Sequence, residues 1–128
     1  MKLRFLTIQE VMEIHRDQIG RYGGSLGVRD IGLLESAVAQ PTATFGSEFL
    51  HRDLFEMAAA YLFHIAKNHP FVDGNKRTAC VATLVFLYVN GVKVVMDESR
   101  VEELVLSVAE GKSDKATIAE FLRKHVKE

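Results

Sequence analysis

The chain has 128 residues, 48% of them hydrophobic and 26% charged, with 16 basic and 17 acidic side chains and a formal net charge of −1. That length suits one domain, residues 1–128, and lets folding bury about two-thirds of the unfolded surface, which excludes global disorder and any need for disulfide staples. The near-neutral balance excludes a surface that grips nucleic acid as a whole, and a single cysteine, Cys80, excludes a cysteine-based zinc site.

In chain order, Thr7 and Glu10 form a T-x-x-E capping box that opens a first helix. Ile8, Val11, Met12, His15, Ile19 and Tyr22 share one face of it, and the glycine-rich loop from Gly20 to Gly27 ends it. Asp30 reads as the N-cap of a short helix that runs to Gln40, carries Leu33, Leu34, Ala37 and Val38, and is stopped by Pro41. Residues 42–52 read as a loop. Asp53 and Glu56 repeat the capping pattern before a helix to about Asn68, with Leu54, Met57, Ala58, Tyr61, Leu62 and Ile65 inward. Pro70 forbids its continuation, because it pushes residue 69 out of the α region. A second buried helix starts near Asn75 and ends at Asn90-Gly91. Its apolar run, Ala79 to Val89 with Thr83 inside, falls well short of the roughly 20 residues a membrane helix needs.

Val92–Met96 is a β-branched run that predicts one short strand, and Leu3–Phe5 is the other extended candidate. Val101, Leu104, Val105 and Val108 mark a fifth helix closed by Gly111, and Ile118, Phe121, Leu122 and Val126 mark a sixth. The expected class is mainly α: a compact single-domain bundle of about six helices with at most one short strand pair. No targeting segment is visible, so a cytoplasmic protein is expected.

One stretch concentrates chemistry: Asn68-His69-Pro70-Phe71-Val72-Asp73-Gly74-Asn75-Lys76-Arg77-Thr78. It joins two core helices, so both its ends are held. Gly74 and Asn75 open the second helix, whose free backbone N–H groups and dipole favour an anion. From Lys67 to Arg77 three cations stand against Asp73 alone, so positive charge is focused here. A helix terminus contributes about 0.3–1 kcal/mol toward an exposed charge and each charge-assisted hydrogen bond about 1.5–3 kcal/mol. The dipole alone would hold a phosphate weakly; Lys76, Arg77 and a metal on Asp73 make it a nucleotide site. One carboxylate with phosphate oxygens and water is the usual magnesium arrangement. His69 can take a proton from an incoming hydroxyl. The set suits phosphoryl or nucleotidyl transfer.

Plainer roles stand beside these. His69 can be a helix-ending surface histidine, Asp73 the N-cap of the next helix, Gly74 a turn residue and Phe71 a core anchor. Lys76 and Arg77 can be a solvated first turn, although cations there oppose the dipole, which favours a bound anion over decoration.

The stretch resembles the Fic/Doc signature H-x-F-x-[D/E]-[G/A]-N-[G/K]-R, standing here as His69-Pro70-Phe71-Val72-Asp73-Gly74-Asn75-Lys76-Arg77. Arg21-Tyr22-Gly23-Gly24, the run from Val28 to Ala37 and the run from Phe86 to Val92 resemble the death-on-curing branch of that family. Fic enzymes transfer AMP and usually carry glycine at the position of Lys76 and arginine at that of Cys80. Lys76 and Cys80 therefore resemble the Doc branch, which implies a toxin that transfers the γ-phosphate of ATP to a threonine of elongation factor Tu and arrests translation. By the same resemblance His69 would be the base, Asp73 would hold Mg2+, Gly74 and Asn75 would form the anion nest, and Lys76 and Arg77 would neutralise phosphate charge. Gly74, where prophage-type Doc has alanine, is Fic-like and keeps AMP transfer as the alternative. A catalytically silent module that binds an antitoxin is a third reading. Ser99-Arg100-Val101-Glu102-Glu103 approaches the family's self-inhibitory pattern, but Leu104 breaks it. Restraint is then expected from a separate, Phd-like antitoxin, with no direct nucleic-acid or membrane partner. The loops at 20–32 and 42–52 are candidate flaps for target docking, or plain connections.

Overall fold

In the computed structural model, which describes residues 3–127, the first helix opens on a complete capping box. Thr7 accepts the Glu10 amide at 3.1 Å and Glu10 accepts the Thr7 amide at 3.0 Å, giving α1 (Ile8–Tyr22). Asp30 caps α2 (Ile31–Ala39) by accepting the Leu33 amide, and Pro41 sits in the 3-10 turn Gln40–Thr42 that follows. A small antiparallel hairpin, β1 (Thr44–Phe45) with β2 (Glu48–Phe49), precedes α3 (Leu54–Asn68). Asp53 caps α3 through the Glu56 amide, but Glu56 turns to the Arg52 amide, so only half of the expected box forms. Then come α4 (Asn75–Val89), α5 (Glu98–Ala109) and α6 (Lys115–Lys124), the last two capped by Asp97 and Asp114. Residues 1, 2 and 128, the ends of the expected domain, lie outside the described residues.

α3 is the axis of the bundle. Met57, Ala58, Ala59, Ala60, Tyr61, Leu62, Ile65 and Ala66 bury it on nearly every side, and the four alanines let neighbours approach closely. It packs against α4, α6, α2 and α5, while α1 covers α4. One contiguous core joins these helices. Tyr61 anchors the N-terminal segment: its hydroxyl accepts the Leu6 amide at 2.8 Å and is fully buried. Thr83, the polar break in the apolar run, satisfies its hydroxyl on the Ala79 carbonyl within α4.

The strand pair does form, but not where the β-branched run lies. Residues 42–52 carry it, with Gly46 at φ +67° turning the hairpin. Val92–Met96 makes only an isolated bridge between Val94 and Val126, which draws Val126 out of the sixth helix. Leu3–Phe5 is not a strand either; the Asn90 side chain holds both backbone groups of Arg4. Tyr22, expected inward, is 67% exposed. Among the described residues no helix is long and apolar enough to cross a membrane.

Lys115 at the start of α6 donates to His51 Nε2 (3.4 Å), in the segment before α3, and to His64 Nε2 (3.3 Å), on α3. Burial, then the Lys115 charge, push the His64 pKa down to about 4 and lower that of His51, against a weak opposing pull from Glu56. The unfolded chain takes up these protons below about pH 6.5, whereas the folded chain resists them. Stability is therefore full above that pH and falls as the pH drops toward about 4. Thermal melts between those limits are expected to show a falling Tm, and His64→Gln is expected to flatten the slope. Tyr61→Phe strands the buried Leu6 amide and is expected to cost about 1–3 kcal/mol in urea unfolding.

Candidate functional site

α3 ends because His69 turns left-handed, at φ +48°, and Pro70 follows. Three carbonyls exposed by that ending are taken by one residue of the α1–α2 loop. Arg29 Nη2 donates to Asn68 O (2.9 Å), Arg29 Nε to His69 O (2.7 Å), and the Arg29 amide to Pro70 O (2.7 Å). The imidazole of His69 is left facing solvent and makes no hydrogen bond among the described residues.

The chain then folds back on Asn75. This buried carboxamide accepts the Phe71 amide at 2.9 Å and donates to the Phe71 carbonyl at 3.0 Å, closing a five-residue turn. Phe71 plugs into the core, 1% exposed, with the His15 ring stacked flat on it at 3.9 Å between centroids. His15 Nε2–H donates to the Asp73 carbonyl at 2.7 Å. A carbonyl only accepts, so that nitrogen carries the proton. Phe71 thus serves as the expected anchor, and Asn75 acts through its side chain as a lock besides offering its amide.

Asp73 is not the N-cap of α4. Gly74 occupies that position at φ +73°, and a Cβ there would lie 3.0 Å from Ile19 Cδ1. The Asp73 carboxylate instead accepts the Ser25 amide (3.2 Å) and the Gly74 amide (2.8 Å). These two amides, with the Arg77 and His15 sides adding to them, hold its carboxyl below the usual carboxylate range. It is exposed and ionised. Gly24 passes so close that a Cβ would stand 2.6 Å from Asp73 Oδ2.

Thr78 is the first residue of α4 to donate back along the helix, to Gly74 O, so the amides of Asn75, Lys76 and Arg77 have no intrahelical acceptor. They line an open depression of about 330 Å³ with His69, Val72, Asp73 and Gly74. Lys76 is exposed beside it. Arg77 is already tethered: Nη2 donates to the Gly23 carbonyl (2.9 Å) and the guanidinium lies 5.6 Å from the Tyr22 ring centre. The expected set, His69, Asp73, Gly74, Asn75, Lys76 and Arg77, therefore meets in one place. Lys67 does not join it; it lines a separate hollow with Phe63, Lys112 and Asp114.

Chemically, the depression offers unbonded amides and two cations for an anion, one ionised carboxylate, and one free imidazole. No group of three or more His, Cys, Asp or Glu side chains suited to a metal occurs among the described residues. Asp73 alone fits a magnesium ion that shares the oxygens of a bound polyphosphate, because such ions keep few protein ligands. His15, Arg29, Gly24 and Ser25 complete the site without having been marked as members. Each lies 39 or more residues from the group it touches, and nothing local in the sequence signals the pairing.

A model of the Fic/DOC family matches residues 5–87. The chain is 46% identical over 100 residues to the toxin Doc of Mycolicibacterium smegmatis, a match covering 77% of each chain. It is 36% identical over 122 residues to the protein kinase doc of Escherichia phage P1, covering 95% of each.

Gly24→Ala is expected to push the Asp73 carboxylate off the Ser25 amide. Carboxyl NMR titration should then move the Asp73 pKa up toward the ordinary carboxylate value. Arg29→Ala is expected to speed hydrogen exchange in residues 69–72 and to cost about 1–3 kcal/mol of stability, by releasing two carbonyls.

Proposed function

The chain belongs to the Fic/DOC family, and on that premise we propose that it is the toxin of a toxin–antitoxin pair, a transferase that moves the γ-phosphate of ATP to a protein hydroxyl. The observation that carries this reading is the convergence at the start of α4. Three unbonded amides, Lys76, the tethered Arg77, the ionised Asp73 and the free His69 ring border a single depression. Preorganised donors of this kind stabilise charge where it develops, with little reorganisation when substrate arrives.

In this mechanism His69 accepts the proton of the acceptor hydroxyl as its oxygen attacks the γ-phosphorus. The bond between that phosphorus and the β–γ bridging oxygen breaks, and ADP leaves with the electron pair. The amides of Asn75, Lys76 and Arg77 and the two side-chain cations hold the equatorial and leaving oxygens. Mg2+, when held by Asp73 together with the polyphosphate, supplies further neutralisation of the leaving group.

Lys76 and Cys80 support phosphate transfer over AMP transfer, since Fic enzymes usually have glycine and arginine there. Cys80 is apolar in behaviour; burial pushes its thiol pKa up to about 11. Gly74 was the one Fic-like feature, but its positive φ and the 3.0 Å that a Cβ there would leave to Ile19 Cδ1 account for glycine as a backbone preference. It then says nothing about the donor. The relatives named Toxin Doc and protein kinase doc support the toxin and kinase roles. A threonine of elongation factor Tu is the proposed acceptor, with translation arrest as its result, and a Phd-like antitoxin on a separate chain the proposed restraint.

The test is label transfer to elongation factor Tu with Mg2+ and ATP labelled at either the α or the γ phosphate. Label from the γ position alone is expected. His69→Ala is expected to lose about 100-fold or more, and Asp73→Asn to weaken the magnesium dependence. Label from the α position would replace this reading with AMP transfer. No transfer from either, with growth arrest undiminished by His69→Ala, would refute a catalytic role.

A further inference from the structure

His15 stands in the middle of α1, 4% exposed and outside the lining of the depression, yet its ring meets the motif loop at two points. One face lies on Phe71, 5° from parallel. Its edge delivers Nε2–H to the Asp73 carbonyl. A phenylalanine could stack but not donate, and a glutamine could donate but not stack. A histidine at this position meets both demands, and it does so from a helix, which holds its reach constant.

The hydrogen bond reaches further than the carbonyl it touches. The Asp73 C=O and the Gly74 N–H belong to one planar trans peptide, in which they point in opposite directions. Fixing the oxygen therefore aims the N–H. That N–H donates to Asp73 Oδ1 at 2.8 Å. A continuous path thus runs from the imidazole through one peptide group to the carboxylate, and each hydrogen bond in such a chain polarises the next. The other oxygen, Oδ2, is held at 3.2 Å by the Ser25 amide, which belongs to an exposed loop. Of the two supports, the Gly74 amide is the one backed by a buried side chain.

We infer that His15 is a positioning residue: by way of the Asp73–Gly74 peptide it orients the Asp73 carboxylate for a divalent cation, and it touches neither cation nor phosphate itself. The inference rests on the reading of Asp73 as the magnesium holder and deepens it. A carboxylate already aimed loses less freedom when it takes an ion, so a hydrogen bond behind it is felt in the affinity for the ion.

Two variants separate the hydrogen bond from the stack. His15→Phe keeps a flat ring on Phe71 and lacks the donor; His15→Gln keeps a donor and lacks the ring. Thermal melts check that both fold. Magnesium ion alone, titrated into the isotope-labelled whole protein, reports its affinity through the Asp73 and Gly74 amide signals without any turnover. His15→Phe is expected to weaken Mg2+ about fivefold or more and to move the Gly74 amide proton upfield, while His15→Gln stays within about twofold of the wild type. In the transfer assay His15→Phe is expected to need more Mg2+ for half-maximal rate and to recover the wild-type rate at saturation. The reverse pattern, with Gln weak and Phe sound, assigns the ring to packing and overturns the inference, as do equal losses in both variants or in neither. The wild type supplies a check that needs no variant to fold: nitrogen NMR of the imidazole must show the Nε2–H tautomer of His15, and the Nδ1–H form overturns the inference. A wild type whose Asp73 and Gly74 signals ignore Mg2+ overturns it together with the metal role of Asp73. Magnesium results as expected, in a wild type that transfers no label from ATP, overturn the phosphotransfer reading and leave the role of His15 at the carboxylate standing.

Discussion

The Asn75 carboxamide, bonded to both backbone groups of Phe71, is the constraint on which the site depends. It turns the six-residue connection between two core helices, residues 69–74, into a short closed loop with fixed ends. Because the pair is buried, neither bond competes with water, and loss of the carboxamide would leave an amide and a carbonyl stranded together. With Phe71 pinned, the His15 ring can stack on it and reach the Asp73 carbonyl. The side chains that border the depression are then carried by backbone that has little freedom to move.

The second half of the site comes from the loop between α1 and α2. Val28 bridges Phe71, the Val72 amide donates to Gly27 O, Arg29 closes the end of α3, and Ser25 meets Asp73. Arg77 returns the contact by binding Gly23 O. Two irregular segments distant in sequence thus supply each other's missing partners, which is how loops with so little regular structure satisfy their polar groups.

Much of the helical frame was legible because helix starts are local chemistry. Thr7, Asp30 and Asp53 cap where their spacing says they should, and Pro70 ends α3 as its ring requires. The motif residues were also legible, since His69, Asp73, Gly74, Lys76 and Arg77 are consecutive enough to share a site by proximity. What failed was non-local. Asp73 carries the residue type of a cap, but the Ser25 amide competes for its oxygens and Gly74 takes the cap position. The β-branched Val92–Met96 run has high strand propensity and only one bridging partner, whereas the less apolar 44–49 segment can fold on itself through Gly46. The lone hydroxyl of Tyr22 gave no hint that its ring would sit outside under a guanidinium.

His69 is the only described non-glycine residue with positive φ. A left-handed conformation costs a residue with a Cβ about 1 kcal/mol, while glycine adopts it freely. The backbone at this position consequently ranks amino acids differently from the chemistry. Selection that rewards abundance or heat resistance alone is expected to enrich glycine or asparagine at position 69. If His69 is the proposed base, selection for activity is what would keep histidine there. Frequencies at this one codon in a random library, grown with and without a penalty for the proposed toxicity, would separate the demands of folding from those of the proposed catalysis.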